Sequence, residues 1–175
     1  MYFSKIKTRH IYNVIFDPVK PCEFDKKHLA VVLKKNNDKQ TLIVMPLTSE
    51  ENGNGINKIN IGIIDSLPSS LKCNNTYAVF NQIRTVNASR FISLKEGNSI
   101  IESKMDDNLF FKLVGLGMND ITHNFDYDER IHLFKTQYEQ ACVLKSVNLA
   151  YSILKLKQYV QALTNENPKN PIINV

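Results

Sequence analysis

The sequence predicts an α+β protein in which a small antiparallel β-barrel comes first and helices follow it. Between residues 10 and 86, short runs of β-branched and aromatic residues alternate with polar turns, as in small barrels. Beyond Phe91 the apolar residues recur at helical spacing, and residues 126–163 contain neither proline nor glycine. The length of 175 residues suits one such domain with a modest helical addition.

Five apolar runs in the first half of the chain are the predicted strands. The first run stops at Asp17-Pro18, a turn signal, so the polar residues 17–27 are predicted to form a loop. Polar residues 34–39 separate the second run from the third, which predicts a hairpin of two buried strands. The predicted strands are residues 10–16, 28–33, 41–47, 59–64 and 76–80.

Helices are predicted from residue 105 onward. Leu109 and Leu113 belong to one apolar stripe, which predicts an amphipathic helix over residues 105–118. One or two further amphipathic helices are predicted within residues 126–163, and two prolines beyond them indicate a mobile end. These patterns divide the chain into a barrel domain, residues 1–120, a helical C-terminal extension, residues 121–165, and a flexible tail, residues 166–175.

Charge and cysteine content limit which partners and which cellular compartment are expected. Twenty-two Lys and Arg against seventeen Asp and Glu give a formal charge of +5, which favours a polyanionic partner. Three cysteines, far apart and without a CxxC motif, favour a reducing cytoplasm over a disulfide framework or a zinc site. Neither a secretion signal nor a membrane span is expected from the apolar runs. We therefore expect a cytoplasmic protein with neither a four-ligand zinc site nor a membrane span.

Three segments, in order, carry a resemblance to a known family. The first is VIFDPVKPCEFDKKHLAVVL (residues 14–33), in which a strand ends in Asp-Pro and a glutamate-bearing loop leads to an apolar strand. The second is IVMPLTS (43–49), a strand that ends in Thr-Ser, and the third is NQIRTVNASRF (81–91). Together they resemble the MazF/PemK family of toxin endoribonucleases, with QIRT as the most specific part. The resemblance spans about residues 9–118.

The resemblance implies a fold, an activity and partners. Members of this family are small SH3-like barrels with a C-terminal helix, usually homodimers. They are mRNA interferases that cut single-stranded RNA without a metal or another cofactor, leaving a 2′,3′-cyclic phosphate and a 5′-hydroxyl. An antitoxin, here expected to be a protein rather than an RNA, holds them inactive.

The chain departs from the family pattern at three places. The family begins its second strand with Arg-Pro, in which the arginine is catalytic, whereas this chain has His28-Leu29. The family's early Arg-Gly is replaced here, in the run Thr8-Arg9-His10. Residues 120–175 have no counterpart in the short members of the family.

Cutting RNA through its own 2′-hydroxyl requires a base, an acid and groups that stabilise the charge on phosphorus. His28 is the leading acid–base candidate, because imidazole titrates near neutral pH and occupies the arginine position. The Thr48 hydroxyl matches the family's catalytic threonine, and the Lys27 ammonium can supply positive charge. Glu23 matches the family's loop glutamate, although a solvated glutamate is the simpler interpretation. A one-residue slip would exchange the roles of Lys27 and His28.

The resemblance also indicates residues that would bind RNA. Ser49 can donate to a phosphate, and Phe24, an aromatic in a polar loop, can stack on a base. The side chains of Asn81, Gln82 and Arg84 follow the fifth strand and can reach base edges or phosphate. A structural role is the favoured interpretation for Arg84.

Two alternatives stay open at this point. One is a toxin ribonuclease of the same fold that is inhibited by a folded RNA, as in type III systems, which the added helices favour. The other is a non-catalytic barrel that only binds a protein or a nucleic acid, which the loss of the family's arginine favours.

Overall fold

A computed structural model describes residues 1–20, 25–49, 57–72, 74–143 and 158 of the chain. The contacts divide the chain into two compact units, Met1–His123 and Asn124–Val175. No helix in the described part is long and apolar enough to cross a membrane. The strands are β1 (His10–Ile15), β2 (Lys27–Lys35), β3 (Thr41–Thr48), β4 (Lys58–Gly62), β5 (Thr76–Val79), β6 (Arg84–Asn87), β7 (Phe91–Ile92), β8 (Leu94–Glu96), β9 (Ser99–Ile101) and β10 (Ser103–Lys104), and the α-helices are α1 (Asp107–Ile121) and α2 (Tyr127–Val143).

The strands of the first unit form one antiparallel sheet in the order β10-β1-β2-β3-β5-β4, with β8 and β9 as a separate hairpin. β3 pairs with β6 along its first half and with β5 at its end, while β1 pairs with both β10 and β7. A bulge between Val32 and Lys34 bends β2. The predicted α+β fold, antiparallel strands followed by helices, is confirmed, and all five predicted strands are present.

Both faces of the sheet are covered by apolar side chains. Val31 and Val32 are neighbours in β2 and point to opposite faces, yet both are fully buried. Val32 belongs to a cluster with Val14 and Phe91, whereas Val31 belongs to a second cluster with Leu113 of α1. A strand with an apolar core on each side reads as a continuous apolar run, which is why residues 28–33 show little alternation.

Helix α1 begins at an N-cap and runs past two glycines. The Asp106 carboxylate accepts a 2.9 Å hydrogen bond from the backbone N–H of Leu109. The helix continues past the predicted end at residue 118 to Ile121. A Cβ on Gly117 would lie 2.4 Å from the side chain of Ile83, so the glycine permits close packing against the sheet. Packing of this face therefore outweighs the low helix propensity of glycine.

The sequence pattern was misread between residues 91 and 104. The change after Phe91 was interpreted as the end of the β region, but β7 to β10 lie in this stretch. Each of these strands has only two or three residues, which is too short to show a period of two.

Helix α2, in the second unit, has a reciprocal capping box. The Asp126 side chain accepts from the backbone N–H of Glu129, and the Glu129 side chain accepts from that of Asp126, both at 2.9 Å. The predicted helix within 126–163 is thus present from Tyr127 to Val143. The rest of that prediction, apart from Gln158, and the predicted tail lie outside the described residues.

Arg9 fastens β1 to α1 at the place where the family pattern has a glycine. Its φ is 64°, a left-handed conformation that costs a side chain energy. Its guanidinium lies 3.0 Å from the Asp107 carboxylate and 5.0 and 5.4 Å from the ring centres of Phe111 and Phe110. These contacts offset the backbone strain.

A pair of substitutions at Arg9 separates contacts from strain. Arg9→Ala loses the contacts and keeps the strain, whereas Arg9→Gly loses the same contacts and relieves it. We expect the glycine variant to be the more stable of the two by about 1 kcal/mol in chemical denaturation. Equal stability of the two variants would show that the left-handed conformation costs nothing here.

Candidate functional site

The strand register brings His28 and Thr48 together. Leu29 of β2 and Leu47 of β3 are register partners. His28 precedes Leu29 and Thr48 follows Leu47, so in this antiparallel pair the two residues lie side by side on one face. His28 is half-buried, and Thr48 is buried except for 8% of its surface. Both side chains have interactions within the protein.

The two residues line one cleft with a volume of about 660 Å³. Its walls are the start of β2 (residues 27–29), the end of β3 (47–49) and the 92–95 segment, with Asn13 and Asn74 between them. Three consecutive residues of β2, the last two of β3 and the following Ser49 line it, so the cleft runs over the strand ends and is lined from both faces of the sheet. His28, Thr48, Lys27 and Ser49 are therefore neighbours in space.

Among the described residues that line the cleft there are two lysines and no carboxylate. Lys27 and Lys95 lie on the wall, both exposed, and neither ammonium has an ion-pair partner in the part of the chain that the structure describes. Glu96, next to Lys95, is directed elsewhere, since its carboxylate accepts a 2.8 Å hydrogen bond from the backbone N–H of Ser69. That hydrogen bond holds the pKa of the Glu96 carboxyl below its ordinary value. The cleft is thus suited to an anion.

The base of the β1–β2 loop is held next to the cleft by Arg90. Its guanidinium donates 2.8 Å to the carbonyl of Phe16 and 3.4 Å to that of Ile15. The backbone N–H of Phe16 in turn donates 2.8 Å to the carbonyl of Lys26. These bonds fix the residue before Lys27, and therefore the position at which β2 enters the cleft.

Three predicted RNA-binding residues lie elsewhere. The Arg84 guanidinium donates 3.2 Å to the Gln82 side chain and lies 5.4 Å from the ring centre of Phe16. Asn81 is exposed in the turn after β5. Among the described residues, none of Asn81, Gln82 and Arg84 lines the cleft. The contacts of Arg84 are those of a structural residue, and RNA binding by these three stays a prediction that this cleft does not support.

Two further predicted residues, Glu23 and Phe24, lie outside the described residues. Within the described part, no group of three or more His, Cys, Asp and Glu side chains is placed to hold a metal ion.

Sequence reasoning missed two residues of the cleft. Asn13 left a signal, because it is an amide inside the apolar run HIYNVIF, on the strand that pairs with both β2 and β7. The sequence around Lys95 gives no such signal, since Lys95 reaches the cleft only through the fold of residues 91–104.

Comparison with known proteins identifies the type of chain. The sequence model described as "PemK-like, MazF-like toxin of type II toxin-antitoxin system" matches residues 7–107. No curated protein sequence matches the chain significantly. Among solved structures, the crystal structure of MazF (Form-I) from Deinococcus radiodurans is similar, with 16% identity and a TM-score of 0.48 over 67% of this chain and 96% of that one.

Proposed function

We propose that this chain, which belongs to the PemK-like, MazF-like family of type II toxin–antitoxin toxins, is an endoribonuclease that cuts single-stranded RNA by acid–base catalysis. The observation that carries the proposal is the register of β2 and β3, which sets an imidazole beside a hydroxyl in a cationic cleft. An imidazole is the side chain that most readily both takes and gives a proton near neutral pH.

The reaction is a transesterification within the RNA. The 2′-oxygen attacks the neighbouring phosphorus, the bond from phosphorus to the 5′-oxygen breaks, and a 2′,3′-cyclic phosphate and a 5′-hydroxyl result. His28 would take the 2′-proton or deliver a proton to the leaving 5′-oxygen. Thr48 would donate to the phosphoryl oxygens, and Lys27 would stabilise their growing negative charge.

The surroundings of Lys27 and Ser49 support roles for both at the phosphate. Lys27 is exposed at the cleft mouth and lacks a carboxylate partner in the described part of the chain, so its charge is available to a phosphate. An ammonium stabilises phosphate as a point charge and does not form the two parallel bonds of an arginine. Ser49, which follows Thr48 and is exposed, would add a second hydroxyl at the same phosphate.

Family membership supports a protein partner. A type II toxin is inhibited by a protein antitoxin, so we propose a protein inhibitor and, as is usual in the family, a homodimer in the cytoplasm. Glu23 would assist the site from the β1–β2 loop, as its match to the family's glutamate suggests. A tandem RNA repeat beside the coding sequence, in place of a short protein-coding frame, would point instead to an RNA antitoxin.

Cleavage by the purified chain is expected to continue in EDTA and to depend on the 2′-hydroxyl. A 5′-labelled single-stranded RNA should give products that end in a cyclic phosphate. The matched substrate, with one 2′-deoxynucleotide at the cleaved position, should stay intact there, because its attacking oxygen is missing. Loss of cleavage in EDTA would overturn the metal-independent mechanism. Absence of any product, with the protein folded, would favour a barrel that only binds.

A further inference from the structure

Asn13 lies in a row of residues that crosses four strands. In the sheet register it pairs with Ile92 of β7 on one side and with Leu29 of β2 on the other. Leu29 in turn pairs with Leu47 of β3. Register partners share a face, so one amide stands in an otherwise aliphatic row, and all four of its residues line the cleft.

The Asn13 amide has no hydrogen-bond partner in the part of the chain that the structure describes, although the side chain is half-buried. Other asparagines in strands or beside them behave differently. Asn36 donates to Thr41, Asn60 accepts from Gly62, and Asn87 accepts from Ser89, at 2.8 to 3.0 Å. A polar group in an aliphatic surface costs energy unless it is paired, so this amide is suited to a ligand.

The surroundings of the amide define the shape and charge of that ligand. Ile92 and Leu71, each 40% exposed, present aliphatic surface in the cleft. Lys27 and Lys95 place positive charge on its walls. A flat apolar group with a hydrogen-bonding edge, attached to an anion, matches all three features.

We propose that Asn13, Ile92 and Leu71 form a nucleobase subsite, in which the amide reads the edge of one base next to the cut. The carbonyl oxygen accepts and the NH₂ donates, so one base edge can be bound at two points. Asn13 and His28 line the same cleft, which places the base near the reacting phosphate. The inference rests on the proposed ribonuclease function and adds a residue that sets its sequence preference.

Binding tests the subsite without relying on cleavage. Adenine-rich, cytosine-rich and uracil-rich oligoribonucleotides with a fluorescent label are titrated with the His28→Ala protein. We expect that protein to prefer one of them. Adding Asn13→Ala should lower affinity for the preferred oligonucleotide about 10-fold, since a bidentate base contact contributes about 1–3 kcal/mol to discrimination. The matched control is Asn108→Ala, at an exposed position of α1, which should leave the affinities unchanged.

Asn13→Asp is the second variant, because it keeps the size of the side chain and replaces its donor by a charged acceptor. It should also lose the preference, and it serves as the test if Asn13→Ala fails to fold. Mapping the 5′ ends of RNA cut by Asn13→Ala, with His28 intact, should show a relaxed preference at one position.

The outcomes separate this inference from the proposed function. If the wild-type chain cuts nothing but binding shows an Asn13-dependent preference, the ribonuclease proposal is refuted and the base subsite is supported. If the chain cuts RNA and its preferred sites are the same with Asn13→Ala, the subsite falls and the nuclease stands. A folded protein that binds none of the oligoribonucleotides overturns both.

Discussion

Replacing His28 by alanine is expected to slow RNA cleavage by about 10²–10⁴-fold, the usual contribution of a general acid or base. The fold should survive, because the His28 side chain is only half-buried. It is the second residue of β2 and belongs to neither apolar cluster. Single-turnover cleavage of a labelled RNA measures the effect, and the far-ultraviolet spectrum and thermal midpoint report the fold.

His123→Ala is the matched control for that experiment. His123 is an exposed histidine just beyond the end of α1, and it does not line the cleft. Its removal should leave the rate unchanged. Full activity of His28→Ala would refute the assignment. If Lys27→Ala were then the inactive variant, the one-residue slip between these neighbours would be the explanation.

The largest effect on stability is expected from Phe91→Ala, at about 3–5 kcal/mol. Phe91 is 1% exposed, and its ring packs edge-on against Tyr12 with centres 5.8 Å apart. It also pairs with Val14, so its loss opens a cavity between β1 and β7 in their apolar cluster. Denaturant unfolding, followed by tyrosine fluorescence, measures the change in the free energy of unfolding.

Phe111→Ala provides the comparison at a similar residue. The Phe111 ring is 55% exposed on α1, and its main described contacts are with the neighbouring Phe110 ring and the Arg9 guanidinium. Its removal should cost about 1 kcal/mol or less. Equal losses for the two variants would mean that the cluster around Phe91 contributes little to stability.

The predictable part of the fold was local. Strands such as β2 and β3 were found because long apolar runs are bounded by polar turns. Helix α1 was predicted from its apolar stripe, but its end was not, because Gly117 lies where Ile83, far away in the sequence, leaves no room for a Cβ. β7 and β10 were missed for the same reason, since their partner is the distant strand β1. β8 and β9 pair with each other, but strands of three residues are too short to show a period.

The same distinction between local patterns and contacts distant in sequence applies to the candidate site. His28 and Thr48 were found by resemblance, and the register supports their proximity. Asn13 interrupts the apolar run of β1, but that run alone does not show which strands flank the amide. Lys95 lies three residues after Ile92, whose pairing with Asn13 joins residues distant in sequence, so no local pattern could place Lys95 in the cleft. Asn81 and Gln82 lie in a family motif but do not line this cleft, so RNA binding by them stays a prediction.

The central claim is that His28 and Thr48 act on the same phosphate, and a double-mutant cycle tests it most directly. Rates are measured for the wild-type chain, His28→Ala, Thr48→Val and the double variant on one single-stranded RNA in EDTA. Residues that act as a unit give non-additive losses, so the double variant should be about as slow as the slower single variant. Losses that multiply, or a folded wild-type chain that cuts no RNA, would contradict the account.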